Sequence, residues 1–554
     1  MSQSFFPIAV ALRQSLKNGY DLKTFRSDLV AAVVAALVAL PLAMALSIAV
    51  GLPPQNGLYT AIIAGILVPL LGGSRSQVSG PTAAFVVIVA PIITSHGLEG
   101  LIIATIMAGI MLFLMGLAKL GRYINYIPYP VIIGFTSGIA VVIGTLAIND
   151  LLGLGIKNFQ GDYLHKISLI MSNLHNFSWV ETLIGLVTLL VMLFANKAKI
   201  PSTILGILVG VALSLVLEKY GFHIANIGNR FSYTLASGVI MGGVPPYLPE
   251  VHLFKEFDWQ LLKTLFPSAI VIALLAALES LLSATAADGI AKTKHQPNSE
   301  LIAIGIGNIC SAFFAGIPAT GAIARTSTII HSGAKTPLAS TMHALIILIS
   351  VVFFAHYLSY IPMASLAALL IYVAIRMSHY KQFMRVFQIA PASDSFVLFM
   401  CFAFTVLIDM TAGVTVGVVL SCFLLVKRIS GLVMMEVSHP SVGTHKKLAH
   451  IKLPKDVMVY HINGSLFFGT VEEVLGDTSF INPQINTLVI DIEDVPLIDM
   501  SGLVAMSTMI LDLQARNIKV ILVGHESITE KIVQKVAHNG GQPFTVTPKL
   551  ASVF

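Results

Sequence analysis

Charge is what this chain has least of. Of 554 residues, only 11% are Asp, Glu, Lys or Arg, against roughly 25% in an ordinary soluble domain, and the mean hydropathy is +0.86. Those two figures exclude a single soluble enzyme. Cysteine is nearly missing as well: Cys310, Cys401 and Cys422 all sit inside apolar runs, which excludes a disulfide-stapled secreted protein. No Gly-x-x-x-x-Gly-Lys-Ser/Thr occurs, so ATP is not the expected driving force. The sixteen histidines show no metal-ligand spacing, and His525-Glu526 meets Thr529 where a zinc motif needs histidine. No nucleophile–base constellation stands out. A non-enzyme without cofactor or structural metal is expected.

What is present in quantity is apolar sequence, 56% of the chain. Residues 29–74, 101–118, 123–149, 301–324 and 336–375 carry no charge at all. A helix needs ~20 apolar residues to cross a bilayer. The first and last of these runs can therefore each hold two spans, broken at Gly51-Leu52-Pro53-Pro54 and near Ser359-Tyr360-Ile361-Pro362. Shorter candidates at 182–196, 200–217, 264–287, 395–409 and 411–426 bring the expected total to about fourteen. Residues 1–28 read as amphipathic, not as a cleavable signal, so the first long run is itself the anchor.

The few charges are unevenly distributed. Residues 451–554 hold 7 basic and 11 acidic side chains, whereas the first 450 hold 26 and 16. Such a shift marks two different solvents. Basic clusters fall at Lys17/Lys23/Arg26, Lys119/Arg122, Lys197/Lys199, Lys292/Lys294, Arg376/Lys381/Arg385 and Lys427/Arg428. With an internal N-terminus and fourteen spans, all of them land on the cytoplasmic side, leaving Glu99, Asp150 and the 218–258 segment outside. This asymmetry accounts for the basic excess without a nucleic-acid partner. The boundaries read as a cytoplasmic segment 1–27, a transmembrane domain 28–430, a linker 431–450 and a soluble domain 451–554.

Two halves are recognisable, each with one interrupted span. The interruptions read Val78-Ser79-Gly80-Pro81-Thr82-Ala83-Ala84-Phe85 and Ile317-Pro318-Ala319-Thr320-Gly321-Ala322-Ile323-Ala324-Arg325-Thr326. A matched pair of broken spans is the best sequence pointer to a midplane site in a transporter. Seven spans per half is odd, so the halves should be inverted. A broken helix leaves backbone N–H groups unpaired, and its dipole places roughly half a positive charge at the N-terminus. Two such ends make an anion site. The expected anion ligands are Ser79, Gly80, Thr82 and Ala83 from one half, and Thr320, Gly321, Ala322 and Ile323 from the other. Thr326 could add a hydroxyl, and Arg325 a full cation. An arginine at this depth is costly unless it faces the bundle interior; its alternative role is a structural ion pair with Glu279. Glu279, the one acid in 264–287, is the expected cation-coupling group, with Ser283 one turn later on the same face. Asp28 and Asp409 read as capping or solvated, and Asn308 as an interhelical hydrogen bonder.

From about 450 onward the pattern is α/β. Strands are expected at Val457–Ile462, Thr487–Ile492 and Ile518–Val523, with helices at 502–515 and 526–537. In the turn Pro496-Leu497-Ile498-Asp499-Met500-Ser501-Gly502, Ser501 reads as a helix N-cap or as a regulatory phosphorylation or partner-docking site.

With these motifs in place, the chain resembles the SulP sulfate-permease family of anion transporters. The carrying residues are Pro41-Leu42-Ala43-Met44-Ala45, Gly57-Leu58-Tyr59, Gly73-Ser74-Arg75, Val78-Ser79-Gly80-Pro81-Thr82, Gly134-Phe135-Thr136-Ser137-Gly138, Glu279-Ser280-Leu281-Leu282, Asn298-Ser299-Glu300-Leu301 and Ala322-Ile323-Ala324-Arg325. The tail resembles a STAS domain, in which Ser501 matches a phosphorylated serine. Within the family the chain is most similar to the C4-dicarboxylate branch, through residues 79–87 and Thr293-Lys294-His295. The resemblance implies an α-helical polytopic membrane protein of fourteen spans in a seven-plus-seven inverted repeat. It implies core and gate domains, a cytoplasmic STAS domain and a homodimer in the cytoplasmic (inner) membrane. The implied activity is elevator-like uptake of C4-dicarboxylate coupled to H⁺ or Na⁺, with bicarbonate or sulfate as alternatives. Similarity to the bicarbonate branch makes Glu279 and Ser283 candidates for Na⁺ binding. Leu42 stands where some proton-coupled members carry glutamate, so a proton route would rest on Glu279. An anion channel or a membrane-anchored sensor remain the rival classes.

Overall fold

The computed structural model describes residues 8–122, 128–156, 159, 161–195, 201–234, 238–247, 250–252, 259–431, 433–439, 446–448, 453–471 and 484–554. Lys197, Lys199 and much of the expected linker lie outside them. The chain divides into two compact units, Met1–Val418 and Val419–Phe554.

The first unit begins with an amphipathic helix, Val10–Lys17, and then α1 (Leu22–Ala49), whose N-cap Asp21 accepts from Thr24 N. The first long helix thus starts six residues before Asp28. Asp28 is not solvated: its carboxylate is fully buried and takes Lys335 N–H (2.7 Å) and the Thr336 hydroxyl (2.5 Å), tying α1 to a loop 300 residues away in sequence. Gly51, at a φ of 87°, and Pro53 break the chain as expected, and Pro54 opens α2 (Pro54–Leu71) at a position where a missing N–H costs nothing. Strand β1 (Ser79–Pro81) follows, then a single 3₁₀ turn, Ala83–Phe85, running into α3 (Val86–Leu117). α3 is two rods, since Gly97 breaks it with a φ of 63° and ψ of −164°. Next come α4 (Tyr129–Leu151), α5 (Trp179–Phe194) and α6 (Ser202–Lys219).

The second half repeats the pattern. It comprises α7 (Trp259–Ala291), α8 (Pro297–Phe313), strand β2 (Ala319–Gly321), α9 (Ile323–His331), α10 (Pro337–Leu358), α11 (Met363–Met377), α12 (Ala392–Leu407) and α13 (Met410–Ser430), the last crossing into the second unit. At its start, Asp409 caps α13 through Ala412 N (2.7 Å), as expected of that residue. Nine helices among the described residues are long and apolar enough to cross a membrane; α5 and α12 are apolar but shorter.

The halves are inverted and interlocked. α2 packs on α10, while its counterpart α8 packs on α3; likewise α1 meets α10 and α7 meets α3. Strands β1 and β2 pair antiparallel, Ser79 to Gly321, Gly80 to Thr320 and Pro81 to Ala319. An antiparallel pairing of equivalent strands is what a two-fold axis through the crossing produces. Small residues let the helices approach. A Cβ on Gly109 of α3 would stand 2.8 Å from the Gly305 carbonyl of α8, and one on Gly305 2.7 Å from the Gly109 carbonyl. Without a hydrophobic drive between helices in lipid, this close backbone packing supplies the cohesion.

The second unit is a five-stranded sheet in the order β3 (Met434–Ser438), β4 (Val457–Asn463), β5 (Thr487–Asp491), β6 (Lys519–Val523) and β7 (Thr545–Thr547). Only the β3–β4 pair is antiparallel. Helices α14 (Met500–Ala515) and α15 (Glu526–His538) contribute Met506, Ile510 and Ile532 to a core with Tyr460, Leu488 and Leu522. The three expected strands and two helices are all present. The sheet begins earlier than the charge shift at 451 suggests, because β3 lies inside the expected linker. Ser501 is not the N-cap of α14: Asp499 is, accepting from Gly502 N at 2.8 Å and from Phe468 N at 3.1 Å. Ser501 is exposed on the first turn. Asp and Ser cap about equally well, so the backbone path decided between them.

Candidate functional site

The β1–β2 crossing gathers the residues singled out from the sequence, but it uses them differently. Two residues past each strand a helix begins without a side-chain cap: the Ala83–Phe85 turn after Thr82, and α9 after Ala322. Uncapped first-turn N–H groups are the donors that bind anions. On the α9 side they are those of Ile323, Ala324 and Arg325, because Ala322 N already donates to Val78 O (2.9 Å) and Gly321 N to Ser280 Oγ (3.0 Å). Thr320, Gly321 and Ala322 therefore build the crossing, whereas Ile323 and the adjacent Ala324 are exposed at its surface.

The hydroxyls are mostly committed. Thr320 donates to Ala276 O (3.0 Å) and sits 2.8 Å from Ser280 Oγ, completing a chain from Gly321 N–H through two hydroxyls to the α7 backbone. Thr326 Oγ1 accepts from Val78 N (3.0 Å) and from Ser283 (3.2 Å). Ser283, although one turn from Glu279, thus bonds to α9 and not to that carboxylate. Thr82 is the exception: half-buried, it donates to Glu279 Oε2 at 2.8 Å, and Glu279 is itself only half-buried. Ser79 Oγ is buried with no partner.

Arg325 is 2% exposed. Its guanidinium reaches back from α9 under β1, where Nη2 donates to the Pro81 carbonyl. Nη1 lies where it requires Gly80: a Cβ there would stand 2.8 Å from it. Among the described residues no carboxylate lies within 4 Å, so a direct ion pair with Glu279 does not form, although that carboxylate lies within electrostatic range. Nε and Nη1 have no partner. The arginine charge is buried close to the Ala83 turn and does not project into the open surface.

Three positioning residues escaped the sequence reading or were seen only in part. Asn308 of α8 was expected to bond between helices, and it clamps β2: Oδ1 accepts from Ala319 N (2.8 Å) while Nδ2 donates to Ala319 O and Ile304 O (2.9 Å each). Gln77 lies against Gly321, its amide buried and unpartnered. Being polar just outside a charge-free run was its only sequence signal. Glu300 of α8 holds the entry to the crossing through Gly73 N (2.8 Å) and Ser74 N (3.0 Å). A cavity of about 370 Å³ between α3 and α7, lined by Met111, Leu114, Ile270 and Leu274 among others, is wholly apolar and lies apart from this chemistry. No cluster of three or more metal-ligating side chains occurs among the described residues.

A helical membrane unit of two inverted halves joined at a strand crossing, followed by an α/β sheet domain, is the architecture of a class of anion transporters. Comparison places the chain within that class. It belongs to the sulfate permease family, whose profile matches residues 25–401, and a STAS domain matches residues 449–549. Among its relatives, YvdB of Bacillus subtilis (strain 168), named provisionally as a sulfate transporter, is 38% identical over 93% of this chain and 94% of its own. The bicarbonate transporter BicA of Synechocystis is 27% identical over 87% and 85%. Among solved structures, that of SLC26A9 superposes with a TM-score of 0.83 at 17% identity, covering 98% of this chain and 92% of that one. The transmembrane domain of a cyanobacterial BicA gives 0.62 at 28% identity, covering 71% and 98%. The protein is an anion transporter, not an enzyme.

Proposed function

We propose that the protein carries a small oxyanion across the cytoplasmic membrane by secondary active, elevator-like alternating access. Fourteen spans with both termini inside, and a homodimeric assembly, complete the reading. The observation that carries it is the buried guanidinium of Arg325, which makes no direct ion pair among the described residues, beside two uncapped helix starts. Together these give a positive potential with N–H donors, offset in part by the Glu279 carboxylate, which lies within electrostatic range of the guanidinium. The anion would bind at the first-turn N–H groups of Ala83–Ala84 and Ile323–Arg325, flanked by Thr82. A unit charge about 6 Å from the anion is worth about 3 kcal/mol at an effective dielectric of 20, near a hundredfold in affinity. Glu279, half-buried and held by Thr82, is the coupling carboxylate for H⁺ or Na⁺. Ser283 is spoken for by Thr326, which favours a proton or a cation bound without it.

Sulfate and bicarbonate come ahead of the C4-dicarboxylate suggested by sequence resemblance, because those are the substrates in the relatives' names. The test is radiolabelled uptake of sulfate, bicarbonate and succinate into proteoliposomes under inward H⁺ or Na⁺ gradients, with Arg325→Ala alongside. Saturable, gradient-driven uptake that Arg325→Ala weakens at least tenfold in KM is expected. Uptake indifferent to any imposed gradient would make the protein a channel, and an unchanged KM would remove Arg325 from the mechanism.

A further inference from the structure

Anion carriage leaves one basic cluster unused, that of Arg376, Lys381 and Arg385. Two of the three lie on a short helix, Tyr380–Ile389, which connects the apolar helices α11 and α12. The chain leaves α11 at Ser378, turns at His379 with a φ of 43° and ψ of 33°, and enters α12 beyond Pro391. A left-handed residue ends a helical path, so the ten residues that follow are a separate helix and not a continuation of α11. Ser137 of α4 donates to the Ser378 carbonyl (2.6 Å), which holds the corner against the bundle.

The sides of this helix differ. Residues three and four apart share a face, and three stripes result. Phe383 and Val386 pack with Ile133 of α4 and Leu398 of α12. Tyr380, Met384 and Phe387 form a second stripe, which is apolar yet 61%, 54% and 44% exposed. Lys381, Arg385 and Gln388 form the third, all exposed. Successive residues lie roughly 100° apart around the axis, so the bare apolar stripe falls between the packed one and the basic one. Among the described residues neither cation of the helix makes an ion pair. Lys381 Nζ stands 6.0 Å from the centroid of the Tyr380 ring. Arg376, just before the corner, is also exposed, and Tyr372 steadies it through the ring face (5.3 Å) and the hydroxyl, to which Nη2 donates at 3.1 Å.

Water suits the basic stripe but not the apolar one beside it. A phospholipid surface suits both, because acyl chains receive apolar side chains and phosphates receive cations. The helix is joined at each end to an apolar helix of the bundle, so its bare stripe is continuous with the lipid-facing surface. We propose that helix Tyr380–Ile389 is an interfacial binding site for anionic phospholipid. Tyr380, Met384 and Phe387 rest against the acyl chains, and Lys381 and Arg385, with Arg376 from α11, engage the phosphates. Lysine and arginine stems lie along apolar surface while their heads reach outward, which lets neighbouring stripes serve one lipid. The site shares no residue with the crossing around Arg325 and stands whether or not the anion reading does.

The experiment uses the full chain in phosphatidylcholine proteoliposomes containing phosphatidylglycerol, with dibrominated acyl chains on one lipid or the other as quenchers. Trp179 and Trp259 are replaced by Phe, Phe387→Trp reports from the apolar stripe, and Gln382→Trp reports from the far side. Both brominated lipids should quench Phe387→Trp, phosphatidylglycerol the more strongly, and Gln382→Trp should be quenched less. Adding Lys381→Gln and Arg385→Gln should cut the preference for phosphatidylglycerol by about fivefold per charge removed and leave quenching by phosphatidylcholine unchanged. An unchanged preference overturns the proposal. So does a Phe387→Trp reporter that neither lipid quenches, the pattern expected if a second copy of the chain covers the stripe. Competition by millimolar inorganic phosphate overturns it in favour of a soluble anion. Should the tryptophan-replaced chain not fold, native mass spectrometry of the wild-type chain and of Lys381→Gln/Arg385→Gln decides. Phosphatidylglycerol held about 25-fold more weakly by the double variant sustains the proposal, and equal retention overturns it.

Discussion

Asn308→Leu isolates the clamp on β2 with little change in volume. In the native protein Asn308 satisfies both the N–H and the C=O of Ala319, at 2.8 and 2.9 Å, in a position with no access to water. Leucine removes both partners and leaves two buried backbone groups orphaned. Each such group costs about 1–3 kcal/mol, and the added apolar contact offsets part of that, so the net loss should be about 2–4 kcal/mol. The loss falls on the strand that aims the start of α9, so transport should suffer with stability. Thermal unfolding in detergent should shift down by several degrees, and Vmax for anion uptake in proteoliposomes should drop below about a tenth of wild type, the penalty expected if about 1.4 kcal/mol of it is felt in the turnover barrier. A variant that melts and transports like wild type would show that β2 is held by its pairing with β1 alone.

Two further outcomes follow from the second unit. The Asp491 carboxyl is pushed up by burial, but His461 Nδ1 at 2.9 Å, the Glu493 N–H and the Lys447 ammonium outweigh that and hold it below the ordinary carboxylate range. A depressed folded value means stability that is present above the unfolded value of about 3.9 and lost as pH falls through the folded one. Hydrogen exchange of β4–β6 amides in the full-length protein should therefore accelerate on acidification below about pH 4, and Asp491→Asn should remove that pH dependence; an identical acid profile in the variant refutes the assignment. Asp499→Ala should destabilise α14 by about 1 kcal/mol through loss of its cap, seen as faster exchange at residues 500–506, whereas Ser501→Ala should leave exchange there unchanged. The reverse pattern would restore Ser501 as the cap.

Much of the architecture was legible because the bilayer is a demanding solvent. Charge-free runs located the helices to within a few residues, and Pro53-Pro54 and Pro362 marked real breaks, where a missing N–H falls at a helix start and costs nothing; Pro41, Pro69, Pro91 and Pro267, by contrast, lie inside helices. The α/β tail was readable for the same reason that its strands are buried: Val457–Asn463 and Thr487–Asp491 are short apolar runs between turns. Strand β3 escaped because Met434–Ser438 is an exposed edge with little apolar pattern. The candidate site was legible as two segments and not as contacts. Thr320 looked like a ligand because a hydroxyl in a broken span has no local partner, and Ser283 because it lies one turn from Glu279; their partners, Ala276 and Thr326, lie on other elements.

The sequence by itself determined that this is a membrane protein of two halves, each with one broken span, because composition, periodicity and proline placement are local properties. Only the tertiary structure decided that the broken spans pair with each other at Gly80 and Thr320, and that Arg325 turns under β1 to bond Pro81 and not Glu279. Those choices depend on which backbone atoms of one half reach the other, and on the need of every buried donor for an acceptor, neither of which is written in any single stretch of chain.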